Sequence, residues 1–125
     1  MLHGRADESM NVAGRKVGPA EVEEAMMRHP GVAEAAVIGV PDDLKGEAIV
    51  GYAVARPGVF LDGAAICRTV AEVLGQMFRP REVRVVAELP KTQSGKIVRR
   101  LIRSKYLGEP LGDLSTVANP RALEL

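Results

Sequence analysis

The chain has 125 residues, 46% apolar and 26% charged, which suits one globular domain and excludes a disordered or collagen-like chain. Its formal net charge of +1 supplies no global field to draw it onto nucleic acid or membrane. A lone cysteine, Cys67, excludes an internal disulfide and a cysteine-based zinc site, and no apolar run approaches the ~20 residues that cross a bilayer. With no signal-peptide pattern at Met1, the expectation is a protein of a reducing compartment, the cytoplasm.

Residues 9–17 read as a short hairpin turning at Ala13-Gly14, where Gly14 supplies the positive φ of a tight turn. Gly18-Pro19 ends it, and Pro19 opens a helix over residues 20–28 with Glu21, Glu23 and Glu24 near its positive end. Val22, Ala25, Met26 and Met27 form its buried side, and His29-Pro30-Gly31 stops it. Residues 32–40 and 48–55 are apolar strands separated by the Pro41-Asp42-Asp43 turn signal. Residues 64–77 carry Ile66, Val70, Val73, Leu74 and Met77 at helical spacing behind Asp62, a candidate cap. A third strand is expected at 84–87, a polar loop at 90–96 and a last helix at 97–107. Residues 108–125, punctuated by Gly and Pro, read as an extended tail suited to packing on another surface. The order implies a small α+β domain: an N-terminal hairpin and a short, mostly three-stranded sheet flanked by about three helices.

Charge is uneven along the chain. Residues 79–105 hold nine basic and two acidic residues, whereas residues 1–78 hold seven basic and eleven acidic. Inside the basic block lies Pro90-Lys91-Thr92-Gln93-Ser94-Gly95-Lys96. Here two hydroxyls, a glycine that admits close backbone approach and a long-stemmed cation are suited to a phosphate or a developing oxyanion. The loop lacks the spaced glycine and helix-opening Ser/Thr of a P-loop. On composition alone it reads as a solvated basic loop.

Two segments together change that reading. Gly4-Arg5-Ala6-Asp7-Glu8, continuing to Gly14-Arg15-Lys16 and Pro19-Ala20-Glu21-Val22-Glu23, resembles the hinge-containing motif of the adenylate-forming (AMP-binding) superfamily. Pro90-Lys91-Thr92-Gln93-Ser94-Gly95-Lys96-Ile97-Val98-Arg99-Arg100 resembles that superfamily's last motif. The order matches the small C-terminal domain of these enzymes, and the resemblance covers roughly residues 4–107, closest to short-chain acyl-CoA synthetases of the acetyl-CoA synthetase type.

The resemblance implies a lobe, residues 1–107 with a hinge near 4–8 and a tail at 108–125, that swings between two poses. One pose forms an acyl-adenylate from a carboxylic acid and ATP; the other passes the acyl group to the CoA thiol. Lys96 falls on the adenylation lysine, a compact point charge that neutralises carboxylate and α-phosphate oxygens. Asp7 falls on the hinge, and Ala13 and Gly14 on the turn bordering the pantetheine tunnel. Arg5 and Lys16 are placed near nucleotide or phosphate; Lys16 stands where relatives often carry Arg, and Asn11 where many carry Lys. Ala71 stands where acetyl-CoA synthetases can carry an Arg for the CoA 3′-phosphate, leaving Arg68 or another cation to substitute. The resemblance further implies ATP and CoA as substrates, Mg2+ held mainly by a large N-terminal domain, that domain as partner, and neither nucleic acid nor membrane. The phosphate loop, adenine site and acyl pocket belong to that large domain, so the chain is expected to be an excised or truncated C-terminal domain that is inactive alone.

Plainer readings apply elsewhere. Cys67 sits among apolar helix positions as a small hydrophobe, His3 and His29 lack ligand-spaced partners, and Met26-Met27 reads as core or interdomain packing. Arg99, Arg100 and Arg103 read as solvated or as meeting the large domain. Two other functions stand beside the first: an adenylation domain feeding a carrier protein, and a stand-alone basic module binding nucleic acid through residues 79–105. The scarcity of aromatics (3%) counts against base stacking in the latter.

Overall fold

Two long antiparallel strands organise the protein, whose computed structural model describes residues 9–125. Strand β3 (Val32–Asp42) pairs with β4 (Gly46–Ala55) from Val32 against Ala55 to Asp42 against Gly46, with one bulge between Val32 and Glu34. The hairpin β1 (Met10–Val12) and β2 (Arg15–Val17) precedes them, followed by helix α1 (Pro19–Met27). Helix α2 (Gly63–Leu74), strand β5 (Glu82–Val85) and helix α3 (Arg99–Leu107) come after. On its edge away from β3, β4 takes β1 antiparallel at Gly46 and β5 parallel over Val50 to Ala53. The expected α+β domain and its element order are therefore present, with the hairpin joined into one five-stranded sheet.

Both strand faces are covered, which explains the unbroken apolar runs. Ala35, Val37, Ile49 and Ala53 face α1 and α2, meeting Val22, Met26, Ile66 and Val70. Ala36, Ile38, Val40, Val50 and Tyr52 face the other side and meet Leu89 and Ile102. Each fully buried aliphatic chain contributes about 1.5–3 kcal/mol, which outweighs the poor strand propensity of the Ala and Gly residues in β3. The small residues admit close packing: a Cβ on Gly39 would stand 2.7 Å from the Met10 side chain.

Local chemistry sets the element ends. Asp62 caps α2, accepting from the Ala64 amide at 3.1 Å. The helix stops at Leu74 rather than at residue 77, because Gly75 (φ +105°) turns the chain into a short 3-10 turn, Gln76–Phe78. Met77, expected in the buried stripe, is 41% exposed as a result; Val73, within α2, and Met27, expected on the buried side of α1, are 42% and 43% exposed because they stand at the solvent edge of their helices. Strand β5 lies two residues earlier than expected. Its charges hid it: Glu82 accepts from the Tyr106 hydroxyl at 2.7 Å, and neighbouring Arg81 pairs with Asp42 at 2.9 Å while its amide bonds Ile49 O. Helix α3 begins at Arg99, since Ile97 pairs with Lys91 instead of opening the helix.

The segment after α3 folds back on this same domain. Val117 and Leu123 are buried against Leu101, and Pro120–Leu123 forms a final 3-10 turn.

Candidate functional site

Residues 90–98 form a small ribbon rather than an irregular loop. Lys91 pairs with Ile97, and the Val98 amide donates to Pro90 O at 2.9 Å. The tip is closed by Thr92 N–H to Lys96 O (2.8 Å), Gly95 N–H to Thr92 O (2.9 Å) and Lys96 N–H to Thr92 Oγ1 (3.2 Å). Gly95 sits at φ +89°, a left-handed conformation that glycine adopts without a Cβ clash. The backbone of Lys96 is thus bonded at both N–H and C=O, while its side chain is exposed. Among the described residues its ammonium has no hydrogen-bond or ion-pair partner.

The neighbouring cations are occupied. Arg99 binds Glu23 through Nε at 2.7 Å and Nη2 at 2.6 Å. Arg100 donates to Leu111 O at 3.1 Å and Arg103 to Gly39 O at 2.8 Å. Lys91 pairs with Glu34 at 2.9 Å, and Arg84 with Glu82 at 3.3 Å while stacking over the Tyr106 ring. Much of the basic block that suggested a binding face therefore holds its own domain together, and Arg99, Arg100 and Arg103 are not simply solvated.

Lys96 borders a groove of about 480 Å³ whose wall includes Ser9, Met10, Gly39, Thr92, Arg99 and Arg103. Ser9, the first described residue, lies in that wall. Asp7 and Arg5 lie outside the described residues.

Ala13 and Gly14 turn the hairpin with φ +52° and +85°, both positive as a two-residue type I′ turn requires. Ala13 N–H donates to Lys45 O at 2.8 Å and Asn11 N–H to Glu47 at 2.8 Å, so the turn is fixed to the β3–β4 end of the sheet. A Cβ on Gly14 would find nothing within 4 Å inside this domain. Lys16 is exposed on β2, opposite Asn11. Ala71 is buried in α2, so no side chain there reaches a ligand. Cys67 is buried too, and burial pushes its thiol pKa up. Among the described residues, no three His, Cys, Asp or Glu side chains cluster to hold a metal ion.

Sequence reading missed two supports of the Lys96 ribbon. Glu23 was placed at the helix start and at the end of the first motif, with no ribbon contact expected of it, and Asn119 was not singled out. Asn119 accepts from Lys91 N–H at 2.8 Å and donates to Leu89 O at 2.8 Å. Its signal was the Asn-Pro pair at 119–120, a turn initiator.

Comparison with known proteins agrees with the motif pair. The model of the AMP-binding enzyme C-terminal domain matches residues 21–96. The acetyl-coenzyme A synthetase of Methanothrix soehngenii is 44% identical over 129 residues, covering 98% of this chain and 19% of that protein. That of Methanothrix thermoacetophila is 47% identical over 126 residues, with the same coverage of 98% and 19%. The crystal structure of an acyl-CoA synthetase from Brucella canis superposes with a TM-score of 0.77 at 39% identity, over 84% of this chain and 20% of that one. The chain spans about a fifth of the length of the curated relatives it matches. No comparison supports a nucleic-acid-binding module. The chain belongs to the AMP-binding enzyme C-terminal domain family.

Proposed function

We propose that this domain, residues 1–107 with its hinge at 4–8, is the mobile lobe of an AMP-forming acyl-CoA synthetase acting in the cytoplasm on a small carboxylic acid. Lys96 supplies the adenylation cation, and the Ala13-Gly14 turn supplies one wall of the CoA tunnel. The observation that carries this reading is the contrast at the ribbon: Lys96 presents an ammonium with no partner among the described residues from a backbone-locked tip, while the cations around it are committed to their own domain.

Such a tip suits charge neutralisation. When the acid's carboxylate attacks the α-phosphorus of ATP, negative charge accumulates on the phosphoryl oxygens, and pyrophosphate leaves. A cation already held at the end of a fixed backbone stabilises that charge without reorganising. The exposed side chain gives it reach into a partner lobe that binds the nucleotide. ATP and CoA are substrates in this scheme. The Mg2+ accompanying ATP belongs in this scheme mainly to the large domain, and no step here passes through it.

The Gly14 turn suits the second step. Its bare Cα faces open space, and it is tied to the Lys45 carbonyl beside Leu44, an apolar chain left 94% exposed. This end of the sheet is assigned to the large domain and the pantetheine arm in the thioester-forming pose. Asp7 is the pivot between the poses, with Arg5 and Lys16 toward phosphate groups.

The test separates the half-reactions in the full-length enzyme. Lys96→Ala abolishes adenylate formation, read by pyrophosphate exchange, and spares thioester formation from supplied acyl-adenylate. Equal loss of both half-reactions counts against the assignment.

A further inference from the structure

We infer that Asn119 is a positioning residue for Lys96, and that residues 117–119 act as the third strand holding the lysine ribbon in its working geometry. The inference rests on the proposed role of Lys96 in adenylation.

The ribbon is short. Among the described residues the Lys91–Ile97 pair, the Val98–Pro90 bond and the tip bonds join its two arms, and an isolated two-stranded hairpin is marginal in water. The tail supplies what is missing. Val117 pairs with Thr92 in antiparallel fashion, and Ala118 N–H donates to Lys91 O at 2.8 Å. Asn119 Oδ1 accepts from Lys91 N–H at 2.8 Å, so both backbone groups of Lys91 are held by the tail. Asn119 Nδ2 donates to Leu89 O at 2.8 Å and to Glu88 at 3.1 Å, fixing the extended segment that enters the ribbon. The tail is itself anchored, because Val117 and Leu123 are buried beside Leu101 of α3.

Lys96 is one link further on. Thr92, paired with the tail, bonds Lys96 through its N–H, and its Oγ1 accepts from the Lys96 N–H. Asn119 therefore reaches the lysine through Lys91 and Thr92 and touches no reacting atom. A side chain with this set of bonds fixes where the ammonium starts its reach. Misplacement of a catalytic group by about 1 Å costs on the order of 100-fold.

The experiment uses the full-length enzyme carrying Asn119→Ala, with Asn119→Asp and Lys96→Ala alongside. Asn119→Asp keeps an oxygen for the Lys91 amide and loses the donors to Leu89 and Glu88. The expected result is a roughly 10- to 100-fold fall in kcat of adenylate formation with little change in KM for ATP. Thioester formation from supplied acyl-adenylate stays at the wild-type rate, and Asn119→Asp is intermediate. Unchanged adenylation in Asn119→Ala overturns the inference. So does an equal fall in both half-reactions, or unfolding of both Asn119 variants in a thermal melt, since either marks a purely structural role. If Lys96→Ala abolishes adenylation and Asn119→Ala does not, the inference alone fails; if Lys96→Ala leaves adenylation intact, the underlying assignment fails.

Discussion

Glu23 and Arg99, 76 positions apart in sequence, meet through two charge-assisted hydrogen bonds of 2.7 and 2.6 Å. The Glu23 carboxylate also accepts from the Val37 amide at 2.9 Å, so one residue of α1 fastens both β3 and the start of α3. Arg99 stands three residues beyond Lys96. Its pairing commits that positive charge to its own domain and fixes the arm of the ribbon on which the lysine rides.

Removing that fastening destabilises the domain. The Glu23 side chain is 13% exposed, so Glu23→Ala leaves the Val37 amide and the Arg99 guanidinium without this partner in a poorly solvated place. A loss of about 3 kcal/mol is expected, read as a lower urea midpoint at unchanged slope. A loss below about 0.5 kcal/mol contradicts the assignment of Glu23 as a structural anchor.

Acid should weaken the β3–β4 turn. Asp42 is held below the usual carboxylate range, first by the Lys45 amide and then by Arg81, whose guanidinium stands 2.9 Å away. A carboxyl with a depressed folded-state pKa adds stability above its unfolded pKa and loses it as pH falls through the folded value. Asp42→Asn is therefore less stable than the wild type at pH 7, and the gap closes below about pH 4. Urea midpoints at pH 7 and at acid pH read this; a gap constant with pH contradicts it.

The hairpin turn carries strain that substitutions can raise or relieve. Ala13 holds φ +52°, where a side chain is disfavoured by about 1–2 kcal/mol and Asn is better tolerated. Ala13→Asn raises the melting temperature. Gly14→Ala lowers stability by about 1 kcal/mol through its φ of +85°, although the added methyl meets nothing. Equal melting of the Gly14 variant and the wild type would show that the turn relaxes.

Much of the scaffold was legible because its signals are local. Unbroken apolar runs gave β3 and β4, Asp62 announced its helix, and Gly14 its turn. The burial of Met77 was misjudged because helical spacing was extended through Gly75. At the site, the motif marked Lys96, but nothing local said which neighbouring cations were free. Arg99 is neutralised by Glu23 and Lys91 by Glu34, and the Lys91 backbone is held by Asn119, partners 76, 57 and 28 positions away that only the fold brings together.

The division of labour between the two ends of the domain is tested most directly by rapid-quench measurement of acyl-adenylate in the full-length enzyme carrying either Lys96→Ala or Gly14→Leu. The expected result is a crossed one: Lys96→Ala makes no adenylate yet converts supplied adenylate to thioester, whereas Gly14→Leu accumulates adenylate and fails to pass it to CoA. Adenylate appearing at the wild-type rate in Lys96→Ala would contradict the assignment of this lysine.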